Sequence, residues 1–174
     1  MQDIAGASPL HTAAARGYVD CLKPMLQRFP SYVEQPNNEA WTPLHIAVQS
    51  TWPMKFLYFI TENKSLFNNC PAEGNFECVK VLLDSGATVN TRNDYGYSAM
   101  LLAAATPIQD LEEETQRLNE QKMDSDDKFM SPTEINDIIC KLLLDHHPDV
   151  NLPDNFGQTP MMFVSLHFSN SKFS

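Results

Sequence analysis

The chain is expected to be an all-α solenoid of stacked helical repeats, and three observations predict that class. Four related runs recur: Ser8-Pro9-Leu10-His11, Thr42-Pro43-Leu44-His45, Ser98-Ala99-Met100-Leu101 and Thr159-Pro160-Met161-Met162. With residues 51–73 set aside, the second and third runs fall about 33 residues apart, and self-similarity at such a period marks a repeat array. Each run also reads as a helix start. Ser8, Thr42 and Thr159 stand where an N-cap hydroxyl accepts from an unpaired helical N–H. Pro9, Pro43 and Pro160 suit the first helical position, where a missing N–H costs nothing.

Unit one, near 8–41, pairs a first helix carrying Ala13-Ala14 with a second carrying Leu22 and Leu26. Small residues let first helices pack closely, and the aliphatic stripe of the second helices supplies the core. The loop around Phe29-Pro30-Ser31-Tyr32 runs one residue beyond the period, and its shape is left open. Unit two, 42–97, repeats the pattern with Ala47, then Val79, Leu82 and Leu83. Gly86 closes its second helix, free to take the left-handed conformation of a C-cap. Unit three, 98–158, opens on Ala103-Ala104 and resumes at Ser131-Pro132-Thr133-Glu134, which reads as N-cap, first helical residue and capping-box glutamate. A Ser-Pro phosphorylation site is the competing reading of Ser131. Leu142 and Leu143 continue the stripe, and His147 holds the place of Gly86; histidine visits positive φ more readily than most residues. A partial unit, 159–174, leaves the motif at Phe163.

Two insertions follow first helices at the same point, 51–73 in unit two and near 107–134 in unit three, so they neighbour one another on one edge of a stack. The first is apolar, with Trp52, Met54, Phe56, Leu57, Tyr58, Phe59, Ile60, Leu66 and Phe67. It reads as a hydrophobic lid, as an exposed partner-binding patch, or as sequence that splicing would remove, because excision restores the period. The second places eight acids (Asp110, Glu112, Glu113, Glu114, Glu120, Asp124, Asp126, Asp127) against three bases (Arg117, Lys122, Lys128) between 110 and 128. Glu113 and Arg117 are spaced for an i,i+4 pair, so a short helix near 110–121 is expected. The stretch is a solvated acidic loop or a docking site for a basic partner.

Composition limits the function. A net charge of −10 and a pI near 4.8 oppose phosphate backbones, so nucleic acid is not the expected ligand. The longest apolar run, Phe56 to Ile60, is far short of the ~20 residues that span a bilayer, so no membrane insertion is expected. No secretory signal opens the chain, and an intracellular, cytoplasmic or nuclear monomer is expected. Cys21, Cys78 and Cys140 fall on the apolar half of successive second helices, where cysteine acts as a small hydrophobe. Cys70, in the first insertion, is the one expected exposed thiol. No C-x-x-C pair, H-E-x-x-H, G-x-S-x-G, Walker-type loop or dinucleotide fingerprint is present. No catalytic residue, cofactor or metal is expected.

The four starts, the Gly86-Ala87-Thr88-Val89-Asn90 run and the D-x-x-G segments resemble the ankyrin repeat family over roughly residues 3–50, 74–106 and 132–163, within an array spanning 3–163. The resemblance implies helix–turn–helix units joined by hairpin loops in a curved solenoid. It also implies a non-catalytic adaptor or scaffold that binds protein partners through hairpin tips and first helices on its concave face. Asp3-Ile4-Ala5-Gly6-Ala7 resembles the hairpin preceding each unit, as though an upstream repeat were missing. The alternative is therefore a fragment of a larger protein, such as a channel, ubiquitin-ligase subunit or kinase, whose activity lies elsewhere.

Mapped onto this sequence, the tips are Ile4, Ala5, Ala7; Asn38, Glu39, Trp41; Asp94, Tyr95, Tyr97; and Asn155, Phe156, Gln158, while Arg16, Gln49 and Ser50 end first helices. Trp41, Tyr95, Tyr97 and Phe156 form an aromatic ladder of the residue types that dominate hot spots. Tyr95 and Phe156, just before the hairpin glycine, alternatively pack on the next hairpin; Trp41 and Tyr97, past the turn, lean toward partner contact. His11 and His45 are expected to be structural hydrogen-bonding members of the hairpin–helix junction. His146-His147 end a helix, where positive charge is favoured, and adjacent positions do not converge on a metal.

Overall fold

A computed structural model of the chain describes residues 2–50, 72–105 and 132–170. Its α-helices are α1 Pro9–Arg16, α2 Val19–Arg28, α3 Pro43–Ser50, α4 Ala72–Asp84, α5 Ala99–Ala104, α6 Pro132–Leu144 and α7 Pro160–Asn170, with a 3-10 turn at Pro30–Glu34. They form two rows. The first helices α1, α3, α5 and α7 pack side by side, and α2, α4 and α6 form a second row behind them, each against its own first helix. This is an all-α ankyrin-type solenoid.

The helices begin where the sequence places them. Pro9, Pro43, Pro132 and Pro160 are the first residues of α1, α3, α6 and α7. The small residues do what their size allows: Ala13, Ala14, Ala47, Ala103 and Ala104 are buried where first helices meet. Leu22 and Leu26, Val79, Leu82 and Leu83, and Ile135, Ile139 and Leu143 close the second-row core. Full burial of one such side chain contributes about 1.5–3 kcal/mol. Three helices, α1, α4 and α6, end on left-handed residues. Gly17 takes φ 68° and Gly86 φ 91°, and His147 takes the same turn at φ 55°.

Several expectations are corrected. The loop left open after α2 is the 3-10 turn, which buries Val33 and sets Phe29 edge-on to Tyr32 at 5.6 Å. Ser8 is the N-cap of α1, and the partner closing its capping box is His11, whose Nδ1 lies 2.8 Å from the Ser8 hydroxyl. Ala72 and Glu73, assigned to the first insertion, belong to α4, and the partial unit continues as helix through Asn170. Cys78 is buried and Cys140 partly so, its thiol pushed up to about 11 by burial and the nearby Asp137 carboxylate. Cys21 is exposed. In unit two the matching face, Cys78 and Leu82, is covered by α2; in unit one that face, Cys21 and Met25, lines an open groove with Thr12 and Tyr18. The remaining insertion residues 51–71 and 107–131 lie outside the described residues, as do Cys70, the expected helix near 110–121 and the Ser131 cap.

Candidate partner-binding face

Each unit is preceded by a hairpin whose lock is an Asp or Asn. The side-chain oxygen of Asn37 accepts from the N–H groups of Glu39 and Trp41 at 3.0 and 2.9 Å. Asn93 repeats this with Tyr95 and Tyr97, and Asp154 with Phe156 and Gln158. Asp3 accepts from Ala7 in the same way. An acceptor two residues upstream of the tip mimics a backbone turn and fixes it. Gly6, Gly96 and Gly157 follow the tips at positive φ; in the second hairpin Ala40 holds that conformation at φ 59°. A Cβ on Gly96 would meet the Asn155 nitrogen at 2.6 Å, because the next hairpin lies directly against it.

The hairpins are bonded to one another in a row. Asn38 N–H donates to Ala5 O at 3.0 Å, Asp94 N–H to Glu39 O at 3.1 Å, and Asn155 N–H to Tyr95 O at 3.2 Å. The Asn38 amide donates to Ile4 O, and the Asn155 amide donates to Asp94 O while accepting from Arg92. The side chains of Asn38 and Asn155 thus hold the row together, a role that sequence reasoning assigned to partner contact. Sequence reasoning also missed Asn37, Asn93 and Asp154 as locks; the signal was the Asx residue three before each tip Gly or Ala.

Two histidines join the hairpins to the helices. His11 Nδ1 accepts from the Ser8 backbone N–H at 3.1 Å, so its proton sits on Nε2, which donates to Trp41 O at 2.9 Å in the next hairpin. His45 does the same between Thr42 N–H and Thr91 O, at 3.1 and 3.0 Å. Burial holds both rings neutral against the pull of these carbonyls, lowering His11 and bringing His45 to about 4. The structural role expected of them is the one observed. Leu101 takes this place in unit three, and Ser98 Oγ accepts from its N–H at 3.2 Å instead.

The aromatic ladder is continuous over three rings. Tyr95 stacks on Tyr97 at 5.8 Å and tilts against Trp41 at 6.4 Å. Their exposure runs opposite to the order expected. Trp41 is only 9% exposed, edge-on to His45, with its indole N–H donated to Glu39 at 3.2 Å, and Tyr97 is half-buried. Tyr95 is 44% exposed and Phe156 79%. A residue past the turn points back toward the helix row, whereas one before the glycine sits at the tip. Glu39, Asp94, Gln158, Arg16 and Gln49 are exposed. Among the described residues no group of three His, Cys, Asp or Glu is placed to hold a metal, and no helix is long and apolar enough to cross a membrane.

Two family models match the chain: the ankyrin repeat over residues 5–38, and ankyrin repeats in many copies over 69–106. The chain is also similar to ankyrin repeat domain-containing protein 53 of Mus musculus, at 27% identity over 106 residues. That match covers 61% of this chain and 18% of the mouse protein, so the chain corresponds to under a fifth of that relative's length.

Proposed function

We propose that the chain, an array of ankyrin repeats, is a non-catalytic adaptor or scaffold of that family binding a protein partner through its hairpin tips and first helices. Repeats of this family are generally protein-interaction modules, which supports the coarse reading. The observation that carries the finer one is the hairpin row. It is a backbone-bonded surface on which Tyr95 and Phe156 stand exposed while the rings behind them are packed. Rigid aromatic anchors lose little entropy on binding and dominate hot spots. Trp41 acts in this reading as the floor beneath Tyr95. The test is partner recovery by cross-linking and affinity capture with Tyr95→Ala and Phe156→Ala together. Recovery falls at least tenfold, about 1.4 kcal/mol, while the far-ultraviolet circular dichroism stays that of the folded array. Unchanged recovery would refute the assignment of this face.

A second reading is supported by the 18% coverage of the mouse relative. In it the array is the docking part of a larger polypeptide, and its partner selects where an activity elsewhere in that polypeptide is delivered.

A further inference from the structure

We propose that the tip of the second and third hairpins recognises a cationic side chain, arginine above all, in an extended segment of the partner. This rests on the hairpin face being the binding surface and names the chemistry it selects. Glu39 and Asp94 sit at the tips one level apart, tied by the Asp94 N–H to Glu39 O bond of 3.1 Å. Both are exposed, and among the described residues neither is paired with a lysine or arginine. On the same two hairpins Tyr95, 44% exposed, stacks on Tyr97 and tilts against Trp41. Two exposed carboxylates on hairpins that also expose an aromatic ring complement a guanidinium, which is planar, stacks on aromatic faces and donates in a fork to carboxylates.

Among the described residues, Arg92 on the third hairpin does not neutralise the site. Arg92 is spent on Gly96 O and Asn155, bridging the third hairpin to the fourth. The Glu39 carboxylate is already oriented, because it accepts from the Trp41 indole at 3.2 Å. The chain's net charge of −10 adds long-range attraction for a basic segment. The fourth hairpin has Asn155 and Phe156 where the third has Asp94 and Tyr95, so the cationic preference is confined to the two central tips.

The probes are acetyl-Arg-Gly-Arg-amide and its uncharged match, acetyl-Gln-Gly-Gln-amide, titrated into the 15N-labelled full chain. The arginine peptide moves the amide signals of Glu39, Trp41 and Asp94 to Tyr97 saturably, and the glutamine peptide moves them at least fivefold less. Glu39→Gln combined with Asp94→Asn weakens arginine-peptide binding at least fivefold without lowering the melting temperature, since glutamine retains an acceptor for the indole. Shifts confined to 110–128, insensitivity to the paired substitutions, or no saturable shift overturn the proposal. Equal shifts from both peptides overturn the cationic preference while leaving the hairpin face intact. Failure of the face itself appears separately, as partner recovery unaffected by Tyr95→Ala and Phe156→Ala.

Discussion

The first two inter-unit junctions and the third are built to the same backbone plan with different chemistry. Between units one and two, and two and three, a buried histidine spans the gap, one nitrogen on its own helix start and the other on the next hairpin. Between units three and four Leu101 stands in that place, and the polar links lie at the surface. Asn155 bonds Asp94 O, Arg92 bonds Asn155, and Asn90 accepts from Asp149 N–H. Buried hydrogen bonds are expensive to break because both partners are left dry, whereas exposed ones are replaced by water. The difference predicts a stack whose upstream half is more tightly coupled than its downstream end.

The largest expected effect comes from breaking a histidine link. His45→Ala leaves Thr42 N–H and Thr91 O without the ring and opens a cavity, a loss of about 4 kcal/mol in urea denaturation. Asn155→Ala, which removes exposed bonds only, costs about 1 kcal/mol or less. Equal shifts from the two would abolish the distinction between the junctions. Acid gives a second, somewhat smaller test. The folded His45 pKa, about 4, is below the ordinary 6.5, so the unfolded chain takes up a proton first as pH falls. The ring's contribution is therefore complete above pH 6.5 and is lost between 6.5 and 4, a decline of about 3 kcal/mol. The lowered His11 acts in the same direction. Unfolding free energy measured across this range should flatten in His45→Ala; an unchanged slope would remove His45 as its source. The smallest effect sharpens the second hairpin. Ala40→Gly relieves a Cβ held at φ 59° and should raise stability by about 0.5–1 kcal/mol, read as a small rise in the urea midpoint. A loss would show that the alanine is not strained.

Much of this architecture was legible in the chain, because caps, small residues and aliphatic stripes are local signals with local causes. Pro9 and Pro43 begin helices, and Gly86 and His147 end them, as their backbone preferences dictate. What escaped depended on position in the stack. Cys21 and Cys78 share a register, yet only Cys78 has a preceding second helix against it. Trp41 looked free because its neighbours in sequence are polar, but His45, Tyr95 and Glu39 enclose it from three elements. Asn38 and Asn155 looked like contact residues, and their donors are turned instead toward the carbonyls of the preceding hairpin. The candidate residues therefore lie on the hairpins, divided between packed rings, bonds to the preceding hairpin and exposed tips.

The row of hairpin bonds has an arrow. In all three links the downstream unit supplies the N–H and the upstream unit the carbonyl. A unit can be duplicated, exchanged or moved along the array and still meet its neighbours donor to acceptor. A unit entering end for end would set carbonyl against carbonyl, so this surface can be lengthened or reshuffled but not reversed. A partner segment lying along it, as proposed, would read a direction as well as a composition.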